Sequence, residues 1–189
     1  MDFAVNRQER TRMARWLVMA TESPLNGLYH WLDHLSLDDN FARLFDKRAR
    51  RARTRKHPFW LMDGTIELLD YLFPRMPLSV VTARDEFTTM HFIDSFDLGK
   101  YFKPIVCSQT CEHTKPFPHP VLHAAKHMNV APENCVMIGD TTVDILAGRA
   151  AGAQTIGLLC GFGTEKELRR AGADLVVSEL RELLPLFKK

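Results

Sequence analysis

Short apolar runs alternate with helix-like segments from Pro58 to the C-terminus, and this alternation constrains the fold more than any other feature of the 189-residue sequence. The apolar runs are residues 78–81, 104–107, 135–138, 155–159 and 175–177. The helix-like segments are residues 66–73, 87–96, 121–128, 143–150 and 165–171. Short runs rich in valine, isoleucine and leucine are typical of strands buried on both faces of a parallel sheet. The sequence therefore predicts an α/β fold with a parallel sheet.

The first 57 residues have a different pattern. Apolar residues recur at helical spacing over residues 10–37, a turn at Ser23-Pro24 interrupts them, and Asp38 can cap a third helix. We therefore predict two parts: a helical region over residues 1–57 and an α/β core over residues 58–189.

A basic run over residues 43–57 ends the helical region. Its lysines and arginines suggest a nucleic-acid interface, but no aromatic residue is interleaved among residues 47–56 to stack on bases. A solvated helix face leading into a linker is the simpler explanation, and the formal net charge of the chain is only +2. We predict no nucleic-acid partner and keep binding through residues 43–57 as an alternative.

Cysteine content and hydropathy bear on the compartment. Four cysteines are too few for a disulfide framework in a chain of this length, which favours a reducing compartment. No stretch approaches the roughly 20 apolar residues that cross a bilayer, and the apolar stretch near the N-terminus is too short for a signal peptide. We expect a cytoplasmic protein with no membrane partner, and the sequence leaves the oligomeric state open.

Polar residues follow three of the predicted strands, at the edge of a parallel sheet where ligands bind. They are Thr82, Ala83 and Arg84 after the first run, Lys115 after the second, and Asp140 and Asp144 after the third. Thr82 and the backbone at Ala83 and Arg84 are suited to hydrogen-bond phosphoryl oxygens, and Lys115 is suited to offset their charge. These four are the predicted substrate-binding residues.

The same edge carries the predicted catalytic and metal-binding groups. Phosphoryl transfer needs groups that position the phosphate and neutralise it around a divalent cation, and Thr82, Lys115 and Asp140 are the predicted catalytic residues. Asp140 and Asp144 lie one helical turn apart and offer the oxygen donors that Mg²⁺ prefers. Each residue taken alone is also explained by turn and cap chemistry, so the prediction depends on their occurrence together.

Three stretches resemble motifs of the haloacid dehalogenase superfamily, most closely of its phosphoglycolate-phosphatase-like group. Val80-Val81-Thr82-Ala83-Arg84 is similar to the second motif, Lys115-Pro116 to the third, and Gly139-Asp140-Thr141-Thr142-Val143-Asp144 to the fourth. Residues 147–153, 161–163 and 171–174 are also similar to sequences of that group. The resemblance implies a Rossmann-like core, a helical cap over residues 1–57, Mg²⁺ as cofactor, an aspartyl-phosphate intermediate and a small phosphorylated metabolite as substrate.

The first motif of that superfamily, an apolar strand ending in Asp-x-Asp-Gly-Thr, has no full counterpart here. Leu61-Met62-Asp63-Gly64-Thr65 is partly similar, but leucine occupies the position of the nucleophile and cannot form an acyl phosphate. We interpret Asp63-Gly64-Thr65 as a turn and cap before the helix over residues 66–73. The first strand would then be missing, which would leave two strands without a partner.

Two hypotheses explain the missing nucleophile. In the first, which we prefer, residues upstream of Met1 supply the strand and its aspartate. In the second, the chain is a non-hydrolytic relative that binds a phosphorylated ligand or a protein.

A histidine series recurs every four residues at His119, His123 and His127, so a helix would bring the series to one face. Pro118 and Pro120 predict that His119 precedes the helix. No carboxylate or cysteine completes a ligand set. We therefore predict a solvent-facing histidine pair rather than a metal site.

Overall fold

The computed structural model of the chain describes residues 59–188. The predicted helical cap over residues 1–57 and the basic run over residues 43–57 lie outside the described residues. From Leu61 onward, the described residues belong to one compact unit.

Helices and strands alternate along this unit in the predicted order. The helices are α1 (Thr65–Leu72), α2 (Glu86–Ser95), α3 (His119–Met128), α4 (Thr142–Ala150), α5 (Glu165–Ala171) and α6 (Leu183–Phe187). The strands are β1 (Val80–Val81), β2 (Ile105–Val106), β3 (Val136–Gly139), β4 (Gln154–Leu158) and β5 (Leu175–Val177). Two 3₁₀ turns cover Pro132–Asn134 and Leu180–Glu182. All five predicted strands and all five predicted helices are present, and α6 is an addition that the sequence did not predict.

The first two strands are shorter than the four residues predicted for each. Val80 N–H donates to the carbonyl of Pro104 at 3.3 Å, where the ladder begins. Pro104 has no N–H to return a bond, so regular pairing does not extend further back along the two chains. The predicted limits of β1 and β2 are therefore wrong at their N-terminal ends.

The strands form two parallel sheets within the described residues. β1 pairs with β2, and Val80 lies opposite Ile105. β3, β4 and β5 pair in that order, with Ile138 opposite Ile156. Each of β1, β2, β3 and β5 keeps an edge that no described strand pairs. That the first core strand is missing stays a prediction. Helices and parallel strands together confirm the α/β class with a Rossmann-like core.

Helix α1 packs on both sheets and holds them side by side. Leu68 and Leu72 belong to a buried cluster with residues of β4 and β5. Leu69 belongs to a second cluster, against which Val80 of β1 packs, and Leu78 contacts both clusters. Burying each of these leucines contributes about 1.5–3 kcal/mol, so α1 stabilises the arrangement of the two sheets as well as its own position.

Helix α4 lies close against β3 and β4 because Gly148 faces them. A Cβ at Gly148 would come within 2.7 Å of Thr155 Cγ2 and 2.8 Å of Met137 Cβ. Ala147, the preceding residue, is fully buried. These small residues let the helix approach the sheet, and this approach fixes the start of α4, where Asp144 lies.

Four helices start one or two residues before the predicted positions, and two of these starts also differ from the predictions in local structure. His119 is the first residue of α3, not a residue before it, because the first N–H groups of a helix need no intrahelical acceptor and Pro120 is therefore tolerated there. Asp63 and Gly64 form the predicted turn before α1, but no side chain caps this helix. Gly64 occupies the N-cap position at φ +83°, which glycine adopts without strain.

Two further observations concern the whole described part of the chain. Over residues 59–188, no helix combines the length and the apolar character needed to cross a membrane. Cys107, Cys111, Cys135 and Cys160 are all free thiols.

Candidate active site

Thr82 starts a tight turn at the C-terminal end of β1. Its N–H donates to the carbonyl of Val106 at 2.8 Å, and its hydroxyl oxygen accepts from the N–H of Arg84 at 3.1 Å. The carbonyl of Arg84 accepts from the N–H of Ser108 at 3.0 Å. These bonds fix the backbone of the turn, while the side chains of Ala83 and Arg84 are exposed to solvent.

Lys115 is a buried cation at the same edge. Its side chain is 10% exposed, and Nζ donates to the carbonyl of Val81 at 3.0 Å and to Asp144 Oδ1 at 2.5 Å. A buried charge is costly unless it is paired and hydrogen-bonded, and Lys115 has both kinds of partner. The ammonium group therefore bridges the end of β1 and the start of α4.

Asp144 connects that cation to the turn after β3. Its Oδ2 accepts from the N–H of Thr141 at 3.0 Å and from the Thr141 hydroxyl at 2.7 Å, which forms half of a capping box at the start of α4. A Cβ at Gly139 would lie 2.2 Å from the Cβ of Asp144, so only glycine fits at the end of β3. Both carboxylate oxygens of Asp144 are therefore engaged, one by Thr141 and one by Lys115.

Asp140 is held by the loop that follows β4. Its Oδ2 accepts from the N–H of Phe162 at 2.8 Å, and its carbonyl accepts from the N–H of Gly163 at 2.7 Å. A Cβ at Gly161 would lie 1.9 Å from Oδ2, so this loop can approach the carboxylate only with glycine in that position. Oδ1 is the oxygen that these contacts leave for a cation.

The predicted residues thus meet along one edge of the molecule. Thr82 directly follows Val81, whose carbonyl binds Lys115, and Asp140 directly precedes Thr141, whose hydroxyl binds Asp144. Three hydrogen-bonded links, from Val81 to Lys115, from Lys115 to Asp144 and from Asp144 to Thr141, therefore join the end of β1 to the end of β3. We call Thr82, Lys115, Asp140 and Asp144 the rim.

The rim offers oxygen donors for a metal but not a complete set. Over residues 59–188, no three histidine, cysteine, aspartate or glutamate side chains are grouped closely enough to hold an ion. Asp140 fits a hard cation such as Mg²⁺, which takes one or two carboxylates and keeps several waters. Asp144 would have to share the oxygens that Lys115 and Thr141 now engage.

The unpaired edge of β1 is defined by its hydrogen bonds. Val80 and Thr82 donate to Pro104 and Val106 on β2. Successive residues of a strand direct their backbone groups to alternate sides, so those of Val81 point away from β2. The Lys115 ammonium reaches the carbonyl of Val81 from that side.

The unpaired edge of β3 follows from the same rule. The carbonyl of Cys135 accepts from the N–H of Gln154 on β4 at 3.0 Å. The backbone groups of Val136 and Ile138 therefore point away from β4. Helix α1 packs on both sheets and Lys115 joins their ends, so these two edges lie on the facing sides of the two sheets.

Cys160 lies next to the loop that holds Asp140. Burial of the thiol raises its pKa above the usual value, and the negative charge of Asp140 raises it further. A thiol held protonated at neutral pH is a weak nucleophile. Cys160 is therefore a poor substitute for the nucleophile that the sequence lacks.

A surface depression of about 480 Å³ lies at the opposite end of the sheet. Arg149 and Asp174 line it, beside the starts of β4 and β5. It contains none of the predicted site residues. The buried ion pair lies at the rim and not at this depression.

Sequence reasoning missed three residues that support the rim. Thr141 is part of a motif, and its spacing to Asp144 is that of a capping box, which is the signal that could have indicated their contact. Gly161 and Gly163 have only a resemblance in the sequence, because nothing in it indicates that the N–H of Phe162, 22 residues later, contacts Asp140.

Comparison with known proteins agrees with this geometry. The family model described as haloacid dehalogenase-like hydrolase matches residues 20–158, which is more than half of the chain and includes the whole rim. The chain belongs to the haloacid dehalogenase-like hydrolases. This membership confirms the family resemblance and the fold class drawn from the sequence.

Relatives within these hydrolases are phosphatases. The chain is 29% identical over 110 residues to phosphoglycolate phosphatase of Escherichia coli K12, an alignment that covers 58% of this chain and 44% of the relative. It is 27% identical over 161 residues to phosphoglycolate phosphatase of Pseudomonas savastanoi pv. phaseolicola, covering 84% of this chain and 59% of the relative. The chain thus spans about half the length of the curated relatives it matches.

A solved structure of a hydrolase from Pseudomonas syringae has the same fold. It superimposes with a TM-score of 0.72 at 26% identity and covers 94% of this chain and 90% of that chain. The haloacid dehalogenase-like assignment therefore rests on sequence and on fold.

Proposed function

We propose that the protein to which this chain belongs hydrolyses a small phosphomonoester through an aspartyl-phosphate intermediate with Mg²⁺. The observation that carries this proposal is the buried Lys115 ammonium, which is held between the Val81 carbonyl and Asp144 at the ends of two parallel strands. A cation fixed at this edge stabilises negative charge without reorganising during the reaction. The phosphatase relatives support the same class of substrate.

Each rim residue has a role that its contacts allow. The hydroxyl of Thr82 accepts from the Arg84 N–H, so its own proton is available to donate to a phosphoryl oxygen. Lys115 offsets the charge that gathers on the phosphoryl group, and Asp144 orients Lys115. Arg84 and the Ala83 backbone lie at the exposed mouth of the turn, where they would contact the phosphate or the substrate anion.

The nucleophile is proposed to come from a strand inserted between β1 and β3. Both strands keep an edge there that no described strand pairs, and a strand ending beside Lys115 would bring an aspartate to the rim. The aspartate oxygen would bond to phosphorus as the ester P–O bond breaks, and the leaving oxygen would take a proton. Water would then cleave the acyl phosphate, releasing inorganic phosphate and the free carboxylate. We propose that residues encoded upstream of Met1 provide this strand.

Magnesium fits the donor chemistry of the rim in part. Asp140 would hold the ion through Oδ1, with Asp144 as the second carboxylate or as its support, and the inserted aspartate would add a further oxygen. When bound, Mg²⁺ neutralises the oxygens of the phosphoryl group. The loop at Gly161 keeps Asp140 in place for this purpose.

The test is turnover of a generic aryl phosphate by the product that includes the in-frame upstream residues, measured with and without Mg²⁺. We expect Mg²⁺-dependent hydrolysis that Lys115→Ala and Asp140→Asn each reduce by about a thousandfold. Asp97→Asn is a matched control, because Asp97 is an exposed residue at φ 52°, a conformation that asparagine also adopts, and it lies in the loop after α2, outside the rim.

The alternatives make different predictions. If the protein is a catalytically inactive scaffold, the extended protein would bind inorganic phosphate at the rim but would not hydrolyse the aryl phosphate. Binding of nucleic acid through residues 43–57 would weaken steeply with added salt, and a flat salt response would exclude it.

The domain arrangement and the compartment also remain proposals. We propose that residues 1–57 form a helical cap that selects the substrate, and that the protein is cytoplasmic, where its four free thiols stay reduced. Limited proteolysis near Pro58 would test the boundary between cap and core, and subcellular fractionation would test the compartment.

A further inference from the structure

Two histidines stack on the second half of α3, outside the rim. The ring centroids of His123 and His127 are 4.3 Å apart, and the ring planes are tilted by 32°. His123 is half-buried and His127 is exposed. The opposite face of the helix is the buried one, with Val121, Ala124 and Ala125 in the core. The pair therefore projects from the molecule and not toward the sheet.

Against the prediction from the sequence, we propose that His123 and His127 form a surface site for a borderline divalent transition metal such as Ni²⁺ or Zn²⁺, because two imidazoles and water can complete a ligand set without a carboxylate or a thiolate. Imidazole nitrogens suit these ions, whereas Mg²⁺ prefers the carboxylate oxygens of the rim. The site is therefore chemically distinct from the proposed magnesium site. It does not depend on the proposed phosphatase activity.

The geometry of the pair is close to that of a chelate. Two imidazole nitrogens bound to one zinc ion at about 2.1 Å lie about 3.4 Å apart when the angle at the metal is tetrahedral. Rings whose centroids are 4.3 Å apart can place one nitrogen each at that separation by small rotations about their side-chain bonds. Histidines four residues apart on a helix are the spacing that metal-binding helices use. Water would fill the remaining coordination positions.

The surroundings of the pair favour the form that binds metal. Burial lowers the pKa of His123 below 6.5, and the nearby His127 and Lys126 lower it further. His123 is therefore neutral at pH 7 and can donate its lone pair to an ion. The last turn of α3 also carries the negative end of the helix dipole, which favours a bound cation. Lys126 opposes the ion by charge repulsion.

The experiment is calorimetric titration of the full chain with Ni²⁺ at pH 7.5 in the presence of excess Mg²⁺. We expect one Ni²⁺ site. His127→Ala should weaken Ni²⁺ binding by at least about tenfold, because only one imidazole of the pair then remains to bind the ion. Lys126→Gln should strengthen Ni²⁺ binding. Circular dichroism of each variant verifies that the helix content is unchanged.

Other histidines provide the controls. His119 lies on the same helix, with its ring centroid 4.8 Å from that of His113, and His119→Ala should leave the Ni²⁺ affinity of the pair unchanged. His30 and His34 have the same sequence spacing as the pair but lie outside the described residues. The proposal is overturned if His127→Ala binds Ni²⁺ as the wild type does, or if His34→Ala alone removes the site.

Discussion

Two threonine–aspartate pairs lie at opposite ends of the three-stranded sheet, and they differ in what they bind. At the rim, Asp144 Oδ2 accepts from the N–H and hydroxyl of Thr141. At the other end, Asp174 Oδ2 accepts from the N–H and hydroxyl of Thr155, both at 2.8 Å. The hydrogen bonding within each pair is nearly the same. Only Asp144 also receives a buried ammonium group.

That difference gives the two carboxylates different surroundings. Asp174 is exposed, and the nearby Arg149 donates to the carbonyl of Gly172. Asp144 is 4% exposed and Lys115 is 9% exposed, so the ion pair is removed from water at considerable cost. A buried pair of this kind contributes little net stability, so its presence at the strand ends is better explained by the chemistry it can perform.

The largest expected effect tests the ion pair directly. Lys115→Met leaves the Asp144 carboxylate buried without its cation, which should lower the free energy of unfolding by about 3 kcal/mol in urea denaturation. Combining it with Asp144→Asn should recover more than half of that loss, because the double variant has no uncompensated buried charge. Lys166→Met, on the exposed face of α5, should change the free energy by less than about 0.5 kcal/mol. Equal losses at Lys115 and Lys166 would contradict the cost assigned to an unpaired buried Asp144 carboxylate.

The loop that holds Asp140 gives the next largest effect. Gly161→Ala would place a methyl group 1.9 Å from the present position of Asp140 Oδ2, so the carboxylate must move. Displacing a group that orients a ligand typically weakens metal binding by about tenfold to a hundredfold, and calorimetry with Mg²⁺ on the extended protein measures this change. Gly99→Ala is the control, because its Cβ would meet Ile93 Cγ2 at an ordinary 3.7 Å. Unchanged Mg²⁺ affinity in Gly161→Ala would mean that Asp140 is not the metal ligand.

Removing one hydroxyl at each end sharpens the comparison. Thr141→Val and Thr155→Val each remove a hydrogen bond to a carboxylate, and each should lower the free energy of unfolding by about 1.5 kcal/mol. Only Thr141→Val should also reduce the turnover of the extended protein, by about tenfold, because Asp144 then orients Lys115 less well. Loss of turnover in both variants at matched stability would show that the effect is not specific to the rim.

The smallest effect concerns pH. The hydroxyl and the N–H of Thr155 lower the pKa of Asp174 below its ordinary value of 3.8. Because the pKa is lowered in the folded state, this carboxylate stabilises the fold fully above pH 3.8, and the contribution is lost as the pH falls through the lower folded-state value. Asp174→Asn should therefore cost about 0.5 kcal/mol at pH 7, since solvent screens an exposed group, and progressively less as the pH falls below 3.8. A cost that does not change with pH would exclude the charge as its cause.

The alternation of apolar runs was sufficient to predict the strand order along the chain and most of the helix limits. Local periodicity indicates which face of a helix or strand is buried. Both ends of α5 were predicted correctly. The lengths of β1 and β2 were not predictable in the same way, because they depend on which backbone groups the two strands pair, and Pro104 has no N–H to donate to the partner strand. Helix α6 was missed because its five residues are too short to show a period.

The rim was predictable only as a set of residue types. Strand ends predicted Thr82, Lys115 and Asp140 on one edge. In the structure Lys115 contacts Val81, the residue before Thr82, and the loop after β4 holds Asp140. Their partners depend on contacts between distant segments: the Lys115 ammonium reaches Val81 34 residues earlier and Asp144 29 residues later. A single sequence contains no signal for such pairings.

The hydrogen bond from Lys115 to the Val81 carbonyl affects how a further strand could pair with β1. A further strand that pairs along the open edge of β1 would hydrogen-bond to its backbone up to the Val81 carbonyl. There an ammonium proton of Lys115 already competes for the lone pairs of the oxygen. The register of the added strand would thus be set by the position of the Lys115 ammonium and not by a turn. The next residue of the added strand would lie within reach of the Lys115 ammonium, whichever part of the sequence supplied that strand.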